Sequence, residues 1–190
     1  MSLFLIAKGD NIRMRVFSIF GISNSGKTAT VEAVAAELRR RNYTVGSVKD
    51  IHYENFAIDK EGTNTFRHKT AGSQMVTARG LYETDVLIPR RMNIEEILKF
   101  YHHDFVILEG ANDFLGPGII SAHSIEEIDE RIRDTVFAVT GRISNTLEEY
   151  KGLPVINALK DASKLVDLIE KEVPEWTGQQ EWLENGEQNG

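Results

Sequence analysis

Gly21-Ile22-Ser23-Asn24-Ser25-Gly26-Lys27-Thr28 is the stretch that decides the fold of this chain. A glycine, four residues and then Gly-Lys-Thr is the spacing of a phosphate-binding loop. The loop lies between an apolar run, 16–20, predicted as a strand, and a helical pattern over 28–41. The eight residues by themselves are also compatible with a glycine-containing turn that binds nothing. The strand–loop–helix context instead favours a loop that binds a nucleotide phosphate.

Each residue type in this loop suits a nucleoside triphosphate. The backbone N–H groups of the loop are expected to cradle phosphate oxygens, aided by the positive end of the helix dipole. Lys27 would reach the β- and γ-phosphates, and the Thr28 hydroxyl would bind Mg²⁺. The predicted phosphate-binding residues are therefore Gly21, Ser23, Asn24, Ser25, Gly26, Lys27, Thr28 and Ala29.

The composition is that of an acidic globular chain. It has 190 residues, 41% of them hydrophobic, and a net charge of −7, which argues against general binding to nucleic acid or anionic membranes. The absence of cysteine excludes disulfides, thiolate catalysis and zinc–thiolate sites. Apolar runs fall short of the roughly 18 residues of a membrane span. The run at 4–7 is also too short for a signal-peptide core, so we expect a cytoplasmic protein.

Strand and helix patterns alternate along the chain. Further strands are predicted at 44–48, 74–77, 85–88, 104–108, 135–139 and 154–156, and further helices at 65–71, 93–101 and 162–171. This alternation predicts an α/β, three-layer phosphate-loop NTPase fold with a mostly parallel central sheet.

The chain is divided into an N-terminal extension (1–13), a nucleotide-binding domain (14–172) and an acidic polar tail (173–190). Met1-Ser2-Leu3 is interpreted as partly added for expression, and Met14 as an equally good domain start. In the tail, Trp176 and Trp182 are candidates for docking on the body or on a partner.

The second half of the site is predicted at the ends of other strands. Lys49 and Asp50 follow one strand, and Glu109-Gly110 follows the buried strand 104–108. In parallel sheets ligands bind at the carboxyl ends of the strands, so these residues are expected to converge on the loop. Glu109 could hold Mg²⁺, and Gly110 would let the backbone approach phosphate. A strand-ending acid followed by a turn glycine is the alternative.

The polar stretch after the second strand holds further candidates. Asp59 is predicted either as a second Mg²⁺ ligand or water-orienting acid, or as a solvated loop charge. His52 and His68 flank Asp59 and could bind a metal ion. Solvated or hydrogen-bonded histidines are, however, commoner in loops than metal ligands. The basic cluster Arg67-His68-Lys69 either grips a phosphate or solvates a helix face, and we favour the former.

These residues together resemble the MobB family of molybdopterin-guanine dinucleotide biosynthesis adaptor proteins, over about residues 14–170. The likeness is carried by the phosphate loop, by Val106-Ile107-Leu108-Glu109-Gly110, and by a spaced series: Val48-Lys49, His52, Phe56, Asp59, Gly62, Arg67-His68-Lys69 and Ala71-Gly72. The resemblance implies a homodimeric protein that binds GTP and Mg²⁺ and has weak GTPase activity at most. It also implies an accessory role in molybdenum cofactor biosynthesis, beside the guanylyltransferase that joins GMP to molybdopterin.

Carried over by position, the resemblance assigns Gly26, Lys27 and Thr28 to phosphate and metal and places Glu109 by the Mg²⁺. It places Asp59 and the Arg67 region in the family's characteristic segment beside the nucleotide, and Lys49 and Gly110 join the predicted nucleotide contacts because they follow strand ends. The chain departs from the family pattern at Asp50, where histidine is usual, at Asn64, where aspartate is frequent, and at 111–113, where Phe-Lys is common. These departures leave open a relative that serves another pterin or metal cofactor.

The residues alone do not reveal the base. The guanine-reading pattern Asn-Lys-x-Asp is replaced by Asn157-Ala158-Leu159-Lys160-Asp161, so GTP rather than ATP follows from the resemblance only. Two other functions stay open: a small-molecule kinase or ATP-dependent ligase, and an interaction module regulated by a nucleotide that it does not hydrolyse. No glutamine or arginine is evident for orienting water, so slow turnover is expected.

Overall fold

The computed structural model describes residues 13–54 and 56–178. The described residues divide into two compact units, one formed by 13–50 with 100–178 and the other by the segment 51–99. The predicted N-terminal extension and most of the predicted tail, including Trp182, lie outside the described residues.

The first unit contains a five-stranded sheet. Its strands are β1 (Arg15–Phe20), β2 (Val45–Lys49), β5 (Phe105–Glu109), β6 (Gly118–Ser121) and β7 (Val136–Thr140), in the order β2-β5-β1-β6-β7. All neighbouring pairs are parallel, so the carboxyl ends of the strands meet at one edge. The helices are α1 (Lys27–Arg40), α4 (Ile125–Asp129) and α5 (Ala162–Glu172), and a short 3₁₀ helix spans Arg142–Asn145.

Apolar residues alternate between the two faces of this sheet because successive strand side chains point in opposite directions. Ile119 and Ala138 belong to the cluster that contains Leu38 of α1 and Leu165 of α5. The next residues, Ile120 and Val139, belong to a second cluster that contains Ile128 of α4. Helices therefore cover both faces, and the predicted α/β fold with a parallel central sheet is confirmed.

A two-stranded hairpin extends the edge beyond β7. It consists of β8 (Glu149–Tyr150) and β9 (Leu153–Pro154), after which Val155 bridges Val139 in parallel and the Ile156 N–H donates to the Val139 carbonyl at 2.9 Å. The chain thus leaves this edge at Asn157, on the carboxyl side of the sheet.

The second unit contains α2 (Asn64–Thr70), an antiparallel pair β3 (Val76–Arg79) and β4 (Thr84–Leu87), and α3 (Ile94–Leu98). Asn93 caps α3: its side chain accepts from the Glu96 N–H, and the Glu96 side chain accepts from the Asn93 N–H. Every described helix in either unit is too short or too polar to cross a membrane.

Four elements of the first unit were not predicted: β6, α4, the 3₁₀ helix and β8. Strand β6 has only the apolar pair Ile119-Ile120 between Gly118 and Ser121, and α4 has five residues, so neither produces a long periodic pattern. The turn signal Gly116-Pro117-Gly118 before two β-branched residues could have indicated the strand. Helix α3 also ends at Leu98 instead of continuing to 101, and β3 begins two residues later than predicted.

The start of the predicted tail docks on the first unit. The Trp176 N–H donates to the Met14 carbonyl at 2.6 Å, and the indole lies 6.0 Å from the Phe114 ring, centroid to centroid. Docking of Trp176 on the body, one of its two predicted roles, is therefore what the structure shows.

Candidate nucleotide-binding site

The phosphate loop is positioned by close backbone contact with the end of β6. Gly21 has φ 145°, and a Cβ atom at this position would lie 2.0 Å from the Ser121 carbonyl oxygen. Gly26, with φ 110°, precedes the first residue of α1. Both positions of the motif therefore need glycine. At Gly21 a side chain would collide with the Ser121 carbonyl, and at Gly26 the backbone has a left-handed conformation that other residues rarely adopt.

Lys27 curls over its own loop. Its Nζ donates to the Gly21 carbonyl at 3.0 Å and to the Ile22 carbonyl. Burial lowers the pKa of Lys27; the charge of Glu109 opposes this, and those of Lys49 and Arg131 add to it. The loop thus concentrates positive charge that a bound phosphate would compensate.

Thr28, Lys49 and Glu109 meet at the carboxyl ends of neighbouring strands. The Thr28 hydroxyl donates to Glu109 Oε1 at 2.7 Å, and Lys49 Nζ donates to the same oxygen at 2.7 Å. The register pairs Lys49 with Glu109 across β2 and β5, which explains the contact. Gly110 follows with φ 78°, and its N–H donates to the Ile19 carbonyl of β1 at 3.0 Å.

These oxygens fit a magnesium ion. Mg²⁺ prefers hard oxygen ligands, usually one or two protein oxygens with phosphates and waters completing the octahedron. Adjacent ligands at about 2.0–2.1 Å from Mg²⁺ lie about 2.9 Å from each other, and the Thr28 and Glu109 oxygens are 2.7 Å apart. The Lys49 ammonium, itself a cation, already contacts this carboxylate and also donates to the Thr28 hydroxyl at 3.3 Å, and its side chain is half exposed.

Two residues that contact the phosphate loop, Gly141 and His123, were not predicted from the sequence. Gly141 has φ 91°, and a Cβ there would lie 2.6 Å from the Ser25 carbonyl oxygen and 2.7 Å from the Ala122 nitrogen. His123 contacts the loop from its other side, with Nε2 3.0 Å from the Asn24 carbonyl oxygen. Both follow strands of the sheet, β7 and β6, so the rule that had found Glu109 could have indicated them.

The remaining predicted residues lie in the second unit. Asp59 Oδ1 accepts from the Thr63 and Thr65 hydroxyls at 2.7 and 2.8 Å, and its Oδ2 is 3.4 Å from Lys69 Nζ. These bonds, chiefly the one from Thr63, lower the pKa of Asp59. Arg67 lies in the last turn of α2. Within residues 13–54 and 56–178, no three histidine or acidic side chains cluster as metal ligands would.

Recesses open at several places on the first unit, and two of them differ in their relation to the strand ends. A cavity of about 380 Å³ adjoins the phosphate loop at Asn24 and Gly26. A larger recess of about 590 Å³ lies at the amino ends of β6 and β7, between Pro117 and Glu172. Only the former is at the carboxyl edge, where parallel sheets bind ligands, so it is the candidate for the rest of a nucleotide.

A parallel sheet with this loop, and with Thr28 and Glu109 in contact, defines a protein of the phosphate-loop NTPase class. Residues 16–140 match the family described as "Molybdopterin guanine dinucleotide synthesis protein B" (MobB). Since the match covers more than half of the chain, the chain belongs to this family, and the predicted resemblance is confirmed.

Known proteins agree with this assignment. The chain is 33% identical over 105 residues to the putative molybdopterin-guanine dinucleotide biosynthesis adapter protein of Methanocaldococcus jannaschii, covering 54% of this chain but only 43% of that protein. It is 27% identical over 156 residues to the corresponding adapter protein of Haemophilus influenzae, covering 77% of this chain and 87% of that one. The crystal structure of Bacillus subtilis MobB matches with a TM-score of 0.69 at 20% identity, covering 84% of this chain and 98% of that one, which supports the fold.

Proposed function

We propose that this chain is a GTP-binding adapter in molybdopterin guanine dinucleotide biosynthesis, with Mg²⁺-dependent GTPase activity that is weak at most. The observation that carries the proposal is the convergence of Lys27, Thr28, Lys49 and Glu109 on the phosphate loop of a MobB family chain. In this role the protein works in the cytoplasm as a homodimer and assists the guanylyltransferase that attaches GMP to molybdopterin.

The chemistry of this site is binding and positioning. Loop N–H groups and Lys27 would hold the phosphate oxygens, and Thr28 and Glu109 would hold the metal, whose charge would neutralise that of the phosphates. Lys27 exchanges its bonds to the Gly21 and Ile22 carbonyls for phosphate oxygens on binding. None of these contacts orients an attacking water, so slow turnover is the consistent expectation.

Calorimetric titration with GTP and ATP, with and without Mg²⁺, tests the nucleotide part of the proposal. Lys27→Ala is expected to weaken GTP binding at least a hundredfold, because it removes the charge that faces the phosphates. Lys164→Ala, an exposed lysine on α5, is the charge-matched control and should bind like the unaltered chain. Equal binding by the Lys27 variant would refute the site.

The adapter role is tested by GMP transfer to molybdopterin with and without this chain, and by sedimentation to establish the dimer. A rise in transfer that requires Lys27 supports the proposal. Transfer of phosphate from ATP to a small acceptor, with no effect on the guanylyltransferase, would instead identify a kinase.

A further inference from the structure

His123 joins the end of β6 to the phosphate loop. It follows Ser121, the last residue of β6, by two positions and so lies at the carboxyl edge of the sheet. Its Nε2 is 3.0 Å from the Asn24 carbonyl oxygen in the middle of the loop. The backbone of Asn24 is in the left-handed region, with φ 61°. The histidine therefore contacts the loop where its backbone takes a conformation that most side chains disfavour.

Glu127 of α4 holds this histidine by its backbone and by its ring. Glu127 Oε2 accepts from the His123 backbone N–H at 2.7 Å and lies 3.3 Å from His123 Nδ1. The side chains of both residues are mostly buried, with exposed fractions of 30% for His123 and 20% for Glu127. One carboxylate oxygen thus fixes where the imidazole lies and which way it points.

The partners of the ring also fix the direction of its bond to the loop. A carbonyl oxygen can only accept, so Nε2 carries a proton and donates it to the Asn24 carbonyl. Turning the ring over by 180° would place carbon atoms against both the Asn24 and the Glu127 oxygens. His123 is therefore a fixed donor that faces the back of the phosphate loop.

The bond to Asn24 sets the direction of the next backbone N–H group. The peptide bond between Asn24 and Ser25 is trans, so its C=O and N–H point in opposite directions. Because the carbonyl is turned toward His123, the Ser25 N–H is turned away from it. The next peptide is held in a similar way, since the Ser25 carbonyl accepts from the Arg142 N–H at 3.2 Å. Successive backbone N–H groups that are left free in this manner form a concavity that binds anions.

We propose that His123, held by Glu127, is a positioning residue for phosphate binding, which keeps the Ser25 N–H turned toward the phosphates before a ligand arrives. The inference rests on the proposed function, since the loop must hold phosphates. A donor that is already oriented binds more tightly because the cost of ordering it on binding is avoided. His123 acts on a group that would contact phosphate, so its effect should be the same whatever base the ligand carries.

The test compares inorganic tripolyphosphate, GTP and ATP by calorimetry on the full chain with Mg²⁺. His123→Ala removes the donor to Asn24 and should weaken the binding of each ligand by a similar factor, about fivefold, as expected for one hydrogen bond. His123→Gln supplies an amide N–H at about the distance of Nε2 from the backbone and should recover most of the affinity. His102→Ala, at an exposed histidine before β5, is the matched control and should bind like the unaltered chain.

A double-mutant cycle tests whether Glu127 acts through the histidine ring. Glu127→Ala should also weaken tripolyphosphate binding, by a smaller factor than His123→Ala. Combining the two substitutions should cause little loss beyond that of His123→Ala alone, because the carboxylate then has no ring to hold. Glu126→Ala removes the same charge from the neighbouring exposed position of α4 and should bind like the unaltered chain.

Equal tripolyphosphate affinity in His123→Ala and the unaltered chain would overturn the inference while leaving the phosphate site intact. Two other results would also overturn it: no recovery in His123→Gln, which would mean that a donor to Asn24 is not what the loop needs, or fully additive losses in the double variant. If neither tripolyphosphate nor any nucleotide binds the unaltered chain, the proposed function fails at the loop and the inference fails with it.

Discussion

The Thr28 hydroxyl donates a 2.7 Å hydrogen bond to Glu109 Oε1 and so joins the first turn of α1 to the end of β5. The two residues are 81 positions apart in the chain, and the parallel arrangement of β1 and β5 brings them together. A hydroxyl and a carboxylate in contact offer two hard oxygens to one cation.

Removing this hydroxyl should uncouple nucleotide binding from magnesium. Thr28→Val keeps the shape of the side chain but loses the oxygen, and a hydrogen bond to a charged group contributes about 1.5–3 kcal/mol. We expect Mg²⁺ to strengthen GTP binding at least tenfold less in this variant than in the unaltered chain, measured by titration at fixed magnesium concentrations. Thr28→Ser retains the oxygen and should retain the magnesium effect; a full effect in the valine variant would exclude Thr28 as a ligand.

Gly141 should be essential for the shape of the loop. Its Cβ would overlap the Ser25 carbonyl and the Ala122 nitrogen, so Gly141→Ala should lower the free energy of unfolding by about 3 kcal/mol or more through strain and overpacking. Gly152→Ala is the matched control, because it also has a positive φ of 80° but no atom within 4 Å of its Cβ. Only backbone strain of about 1–2 kcal/mol is expected there. Denaturant unfolding and GTP titration check both, and similar losses would show that contact with Ser25 is unimportant.

The features that the sequence predicts well are those encoded by residues close together in the chain. The loop 21–28 and the strand-end pair Glu109-Gly110 lie on continuous patterns, a spaced motif in one case and a buried apolar run in the other. The parallel sheet then follows from alternation of strands and helices, and it brings Lys49, Thr28 and Glu109 together as predicted.

What the sequence does not reveal depends on neighbours across the sheet. Gly141 is one of 15 glycines, and nothing near it in the chain marks it as touching Ser25. Asn145 and Asn157 are likewise ordinary polar residues until the bridge between Val139 and Val155 aligns them.

Asp59 should stabilise helix α2. Its carboxylate accepts from Thr63, the N-cap residue, and from Thr65 in the first turn, so Asp59→Asn should speed amide hydrogen exchange over residues 64–70. Glu61→Gln, an exposed neighbour, is the control and should exchange like the unaltered chain. The same variant tests the predicted metal role of Asp59, because loss of the magnesium effect on GTP binding would mean that the carboxylate leaves these partners for the ion. Unchanged exchange would contradict the stabilising role.

Glu37 should make the first unit sensitive to acid. Arg40 and Arg41 bind its carboxylate at 2.6 and 2.8 Å, and these bonds lower the pKa of Glu37 from 4.5 to about 2. Arg41 also pairs with Glu170 at 2.8 Å, so the cluster joins α1 to α5. Because the pKa is lower in the folded chain, this contribution is complete above pH 4.5 and is lost as the pH falls toward 2.

The test is urea unfolding of the unaltered chain and of Glu37→Gln across this pH range. At pH 7 the variant should unfold at lower urea, and the difference between the two proteins should shrink steadily as the pH falls below 4.5. Glu32→Gln, on the exposed face of α1, removes the same charge without these arginine contacts and should show little difference at any pH. A difference between Glu37→Gln and the unaltered chain that stays constant with pH would mean that ionisation of Glu37 does not stabilise the packing of α1 on α5.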